Sequence, residues 1–228
     1  MGATGRLGVA IAHGIAARGG KVVLSGRDEQ KLAALAASIG EAHGETPPFV
    51  CADLTQRDAP DRVLAGVRAT AGRIDDLVLA CGPFPRTPFP TVQREEFERT
   101  LTVHAVAPLL LVQLLAPDLT ASGGAVVALG DAGITRPYPN HVAYLTAKGA
   151  LTTGLRALSV ELAPAVRVNQ VALGIVADPE ADGDPLRTHR LATRSPLGRF
   201  GVAEEVVHVV MSLLDATWAT GEIWGVGR

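Results

Sequence analysis

The feature that most constrains the fold is a strict alternation of short apolar runs with longer helical stretches. Residues 21–25 (KVVLS), 48–52 (PFVCA), 76–80 (DLVLA), 124–130 (GAVVALG), 166–173 (VRVNQVAL) and 222–226 (EIWGV) read as strands. Helical patterns fill the intervals at 7–18, 28–41, 60–71, 95–115, 141–163 and 203–214. The strands are continuously apolar rather than alternating, so both of their faces must be covered. That is the pattern of a parallel sheet between two helix layers. No repeat, low-complexity tract or linker divides the 228 residues, and a single α/β domain over 1–228 is expected.

Composition narrows the partners. A formal net charge of −2 gives no electrostatic case for nucleic acid or an anionic membrane surface. The longest apolar run, 105–117, contains Gln113 and is short for a bilayer span. Cys51 and Cys81 lack a CxxC spacing and read as buried free thiols, the six histidines show no metal-ligand spacing, and no signal segment opens the chain. The expectation is a soluble, cytoplasmic protein with a small-molecule ligand and no metal.

In parallel sheets ligands bind beyond the carboxyl ends of the strands, so the loops at 82–90 and 177–189 are expected pocket walls. GATGRLG (2–8) precedes the first helix; its glycines let backbone amides approach a pyrophosphate at the positive helix N-terminus. Gly2, Arg6, Leu7 and Gly8 are the cofactor candidates here. After the run at 21–25 stands Ser25-Gly26-Arg27 instead of the acidic residue that binds a ribose 2′-hydroxyl. A guanidinium there suits a 2′-phosphate, with Arg6 reaching the same group, or else Arg27 merely opens a solvated helix. Asp53, followed by Leu54, is placed either to meet an adenine edge or to serve as a turn or cap aspartate.

The chain has two tyrosines, Tyr138 and Tyr144, and three lysines, Lys21, Lys31 and Lys148. Tyr144 and Lys148 lie four apart in a helical stretch, hence on one face. A phenol with a pKa near 10 is a poor acid–base group at neutral pH, and a cation one turn away is expected to lower that value and make it usable. The same spacing also arises by chance.

With glycine loop, Asp53 and Tyr-x-x-x-Lys in this order, the chain resembles the short-chain dehydrogenase/reductase family over essentially its whole length. RVNQVALG (167–174) resembles the family's Arg-Val-Asn-x-Val-x-Pro-Gly, with Leu173 for proline, and PLGRFGVAEEV (196–206) with Thr220-Gly221 resembles its C-terminal signature. The resemblance implies a Rossmann-type, doubly wound parallel sheet with helices on both faces, and hydride transfer with a nicotinamide cofactor, for which Arg6 and Arg27 point to NADP(H). Tyr144 would then be the proton donor and Lys148 its partner, binding the nicotinamide ribose. It also implies a homodimer or homotetramer paired through the helices at 95–115 and 141–163.

The departures carry information. Leu79-Ala80-Cys81-Gly82 stands where the family has Asn-Asn-Ala-Gly, His104 where a helix asparagine supports a proton relay, and Asp131 where a serine is usual. His104 is expected to pack rather than react. Arg6 with Asp131 resembles the pteridine reductase subgroup, in which an aromatic matching Phe84 stacks on the pterin. An ionised carboxylate can only accept hydrogen bonds, so Asp131, unless held protonated, suits a substrate that presents donors better than a plain ketone, or else it is a turn residue in a chain whose chemistry has decayed. Asp131, Tyr144 and Lys148 are thus the catalytic candidates, and Phe84, Asp131 and Tyr144 the substrate contacts. Two functions follow: a reductase of a small carbonyl or imine-type substrate, pterin-like heterocycles included, or an inactive family member that binds nucleotide or a partner.

A dinucleotide loop normally leaves the central first strand, yet only Met1 precedes Gly2. The first strand is therefore expected to be missing, through a truncated or misassigned start or a real loss, which leaves the strands near Val22 and Val78 without a shared neighbour unless they close together and displace the loop. Unpaired buried backbone groups cost about 1–3 kcal/mol each, against a domain stability of about 5–15 kcal/mol. Low stability and weak NADPH binding are expected, with an upstream apolar extension restoring both.

Overall fold

The computed structural model describes residues 1–176, 189, 192, 193 and 195–227. In chain order the main elements are α1 (Arg6–Ala17), β1 (Leu24–Gly26), α2 (Glu29–His43), β2 (Phe49–Cys51), α3 (Ala59–Thr70), β3 (Asp76–Leu79), α4 (Arg94–Leu101), α5 (Ala107–Ser122), β4 (Ala125–Asp131), α6 (Val142–Glu161), β5 (Arg167–Leu173), α7 (Ala203–Asp215) and β6 (Ile223–Val226). Every strand pairing among the described residues is parallel. Helices cover both faces: α3, α5 and α6 supply Val63, Leu111 and Leu155 to one core, while α1 and α7 supply Ile11, Val206 and Val210 to another. This is the doubly wound α/β architecture that the alternation implies.

The sheet comes in two pieces, β1-β2 and β3-β4-β5-β6. Met1 and Gly2 stitch them. The terminal ammonium donates to the Val78 carbonyl, Ala80 N–H donates to Met1 O, and the Gly2 and Ala3 amides donate to Ser25 O. Beyond this stitch a cavity of about 660 Å³ separates the halves, with Val22, Leu24, Leu77 and Val78 in its walls. The strands near Val22 and Val78 do not close together. β1 accordingly forms only over its last part, Leu24–Gly26, and not from Lys21. The catalytic candidates Asp131, Tyr144 and Lys148 are not among the residues lining this cavity.

The helix expected at 95–115 runs from Arg94 to Ser122 and is interrupted by a π-turn at Thr102–Val106. At 29 residues it is long and apolar enough, by length and composition alone, to cross a membrane, contrary to the shorter run seen in the sequence. Its residues Leu111, Val112, Leu115 and Leu119 are nevertheless at most 1% exposed within the fold, the packing of a core helix. Cys51 and Cys81 are free thiols, half-buried rather than fully buried.

Candidate active site

Because all strands are parallel, their carboxyl ends share one edge, and the connection from β4 to α6 brings the reactive groups together there. Asp131 closes β4. Its Oδ1 accepts the Gly133 N–H at 2.6 Å, starting the short 3-10 turn Ala132–Ile134, and its Oδ2 accepts two phenols, Tyr138 at 3.0 Å and Tyr144 at 2.9 Å. Tyr144 and Lys148 sit in the first two turns of α6, both buried. The Lys148 ammonium donates to the Leu129 carbonyl at 2.8 Å and lies 5.9 Å from the centre of the Tyr144 ring.

Lys148 does not lower the Tyr144 pKa on balance, contrary to the sequence expectation. Burial pushes the phenol up, and the Asp131 carboxylate adds to this through its charge and hydrogen bond. Lys148 is itself desolvated, which lowers its own pKa, so the nearer carboxylate outweighs it. Tyr138 is raised for the same reasons, burial first and Asp131 next. Tyr144 is thus a phenol that holds its proton, a donor rather than a resting phenolate.

An aromatic wall adjoins this group. Phe84, 59% exposed, stacks on His141 with ring centres 4.4 Å apart and meets Tyr144 edge-on at 4.9 Å. Tyr138 meets His141 edge-on at 5.1 Å. The 82–90 loop is latched here by Thr87, whose amide donates to the Asn140 carbonyl and which bridges to His141. His104, in the π-turn, lies edge-on to Tyr144 at 5.1 Å; it is 2% exposed, and among the described residues neither ring nitrogen has a hydrogen-bond partner of good geometry. Burial, then the Lys148 charge, hold its pKa down to about 4, so it is neutral at physiological pH. Gly82 is obligatory beside it: φ is +109°, and a Cβ would come within 2.0 Å of the His104 ring.

The cofactor candidates line the same edge of the sheet. Gly8 packs on the Gly2 carbonyl so closely that a Cβ would lie 2.1 Å from it. α1 has Gly5 at its N-cap, with no side-chain cap and no acidic residue in its first turn, which fits a phosphate group at its positive end. Leu7 is half-buried against the α1–α7 core. Arg27 is exposed directly after β1. Arg6 donates to the Val176 carbonyl, a tie absent from the sequence reading. Asp53 accepts the Thr55 N–H at 3.0 Å, the turn role among its two readings, and Leu54 is buried. These glycines and charges fit a dinucleotide. Of the expected wall at 177–189, residues 177–188 lie outside the described residues.

The sequence reading missed Tyr138 and His141 as site residues. The signal was available: both fall between Asp131 and Tyr144, in the connection any pocket here must use.

Residues 2–227 match the family model described as enoyl-(acyl carrier protein) reductase. L-xylulose reductase of Bos taurus is 33% identical over 221 residues, 94% of this chain and 86% of that protein. Among solved structures, L-sorbose reductase from Gluconobacter frateurii, complexed with NADPH and L-sorbose, superposes with a TM-score of 0.92 at 25% identity, covering 99% of this chain and 92% of that one. A glucose/ribitol dehydrogenase of the short-chain type from Brucella melitensis superposes with a TM-score of 0.89 at 31% identity, covering 99% and 92%. Matched from end to end and carrying Tyr144 and Lys148 on α6 beside the carboxyl end of β4, the chain belongs to the short-chain dehydrogenase/reductase family of oxidoreductases.

Proposed function

We propose that the protein is an NADP(H)-dependent reductase of small carbonyl compounds that carry a neighbouring hydroxyl. The observation that carries this reading is the convergence of Tyr144 and Asp131, 2.9 Å apart, with Lys148 behind them. A reduced nicotinamide supplies the hydride; Tyr144 supplies the proton to the carbonyl oxygen. Asp131 accepts only, so a plain ketone gains nothing from it. A carbonyl inserted at Tyr144 takes the phenol's hydrogen bond and frees one acceptor position on Asp131 Oδ2, which the adjacent hydroxyl then fills. Two relatives are named for sugars, L-xylulose and L-sorbose, which supports this class. A pterin presents N–H donors to the same carboxylate, and the exposed Phe84 offers it a ring. Arg27 supports the choice of NADPH through its place after β1. Exposed Val106 and Leu110, flanking the start of α5, and Val160 on α6 support pairing into a homo-oligomer.

The test is NADPH consumption against ketoses, plain ketones and pterins. Hydroxyketone turnover above that of matched plain ketones is the expected result; preference for pterins moves the substrate class, and silence across the panel with tight NADPH binding points to the inactive binder.

A further inference from the structure

We propose that Tyr138, Asp131 and Tyr144 form a relay that returns a proton to Tyr144 after each reduction. The inference rests on the reductase reading above. Reduction delivers hydride to the carbonyl carbon and the Tyr144 proton to its oxygen, leaving a phenolate 2.9 Å from the Asp131 carboxylate. Two adjacent anions in a buried place are unfavourable, and Lys148 is the nearby cation. The phenolate must therefore be reprotonated before the next cycle.

Among the described residues, the hydrogen-bonded path from the Tyr144 hydroxyl runs through Asp131 to Tyr138. Both phenols rest on one oxygen, Oδ2, while Gly133 holds Oδ1 and fixes the carboxyl group. A proton moves from Tyr138 to Oδ2 and from Oδ2 to the Tyr144 oxygen; the Tyr138 phenolate then takes one proton from solvent. One solvent proton enters per turnover and no other reactant is needed. Tyr138 is half-buried between exposed Pro137 and Pro139, whereas Tyr144 is 7% exposed, so the path leads from water inward. On the His104 side both ring nitrogens are buried without a hydrogen-bond partner of good geometry among the described residues, and the ring is held neutral. The titratable groups facing the trio are Lys148 on α6, His104 in the π-turn and His141 at the start of α6, with Cys81 acting on Lys148. Tyr138 touches neither substrate nor cofactor in this scheme and is a positioning residue acting through Asp131.

Tyr138→Phe keeps the ring against His141 and removes the hydroxyl. The expected result is a kcat lowered about tenfold or more, an unchanged KM for NADPH, and recovery of rate as small buffer acids are added. A kcat within twofold of the parent, or a loss that buffer acids do not restore, overturns the relay and leaves the reductase reading standing. An inactive parent overturns the reductase reading first, and the relay with it. A second measurement is independent of turnover. The chain has two tyrosines only, so tyrosinate absorbance reports this pair alone. Near pH 10 the parent should show little tyrosinate and Asp131→Asn clearly more. Equal absorbance in the two proteins removes the shared carboxylate and the proposal with it.

Discussion

The two halves of the sheet are held together in different ways. β3 to β6 form a continuous ladder in which β4 and β5 stay in register over seven residue pairs, and Val126, Val127 and Ala128 are fully buried. β1 and β2 share three residue pairs, and among the described residues Met1–Ala3 hydrogen-bond β1 to the β3 side beside the cavity of about 660 Å³. Asp131, Tyr144 and Lys148 draw on the dense half alone, through β4 and α6. The glycine loop sits on the seam, where its position depends on Ser25 and Ala80 from opposite sides. The proposed proton chemistry and the proposed cofactor contacts therefore rest on supports of unequal strength.

The largest expected effect belongs to the dense half. Tyr144→Phe should lower kcat by about 10²–10⁴-fold while NADPH affinity, measured by quenching of Trp218 and Trp224 fluorescence, stays near the parent value. Retention of most of the turnover would separate the chemistry from the phenol and dissolve the contrast between halves.

The next comparison sets packing against the gap. Leu155→Ala removes a side chain enclosed in the α5–α6 core, and Leu24→Ala removes one that already borders the cavity. Core Leu→Ala changes cost about 2–5 kcal/mol, with the cost set by lost contacts and new void. Leu155→Ala should fall towards the upper end and Leu24→Ala towards the lower, by denaturant unfolding. Equal losses would show that the cavity walls are packed as tightly as the core.

His104 ties the dense half to pH. Unfolded, its imidazole titrates near 6.5; folded, near about 4. Between these values the unfolded chain holds the additional proton, so stability falls as pH drops from 6.5 and the loss levels off below 4. The full contribution is roughly 3 kcal/mol. His104→Asn should flatten the stability profile across that window, and an unchanged profile would mean that the ring meets water.

The smallest effect lies on the weak half. Arg27→Asp should erase most of a preference for NADPH over NADH of about tenfold, the scale of a charge-assisted contact to phosphate. Equal affinities in the unmodified protein would remove Arg27 from the cofactor site and leave the seam with the glycine loop alone.

The sequence by itself determined the layered parallel architecture, because continuous apolar strands alternating with amphipathic helices have few ways to bury both faces. It also placed Tyr144 with Lys148, since helical periodicity alone puts them on one face, and it put Asp131 at a strand end. Two matters were decided by tertiary structure. The sequence anticipated that the strands near Val22 and Val78 lack a shared neighbour; whether they close together or stay apart depends on packing in space, and the fold keeps them apart around the cavity. The sign of the Tyr144 pKa shift was the other. Sequence spacing offered a cation one turn away, while the fold delivered a carboxylate oxygen at 2.9 Å and burial on top of it, and both favour the neutral phenol. Tyr138 joined the same oxygen through a turn whose path no periodicity describes. Electrostatics falls off with distance and depends on burial, and both quantities exist only once the chain has closed on itself.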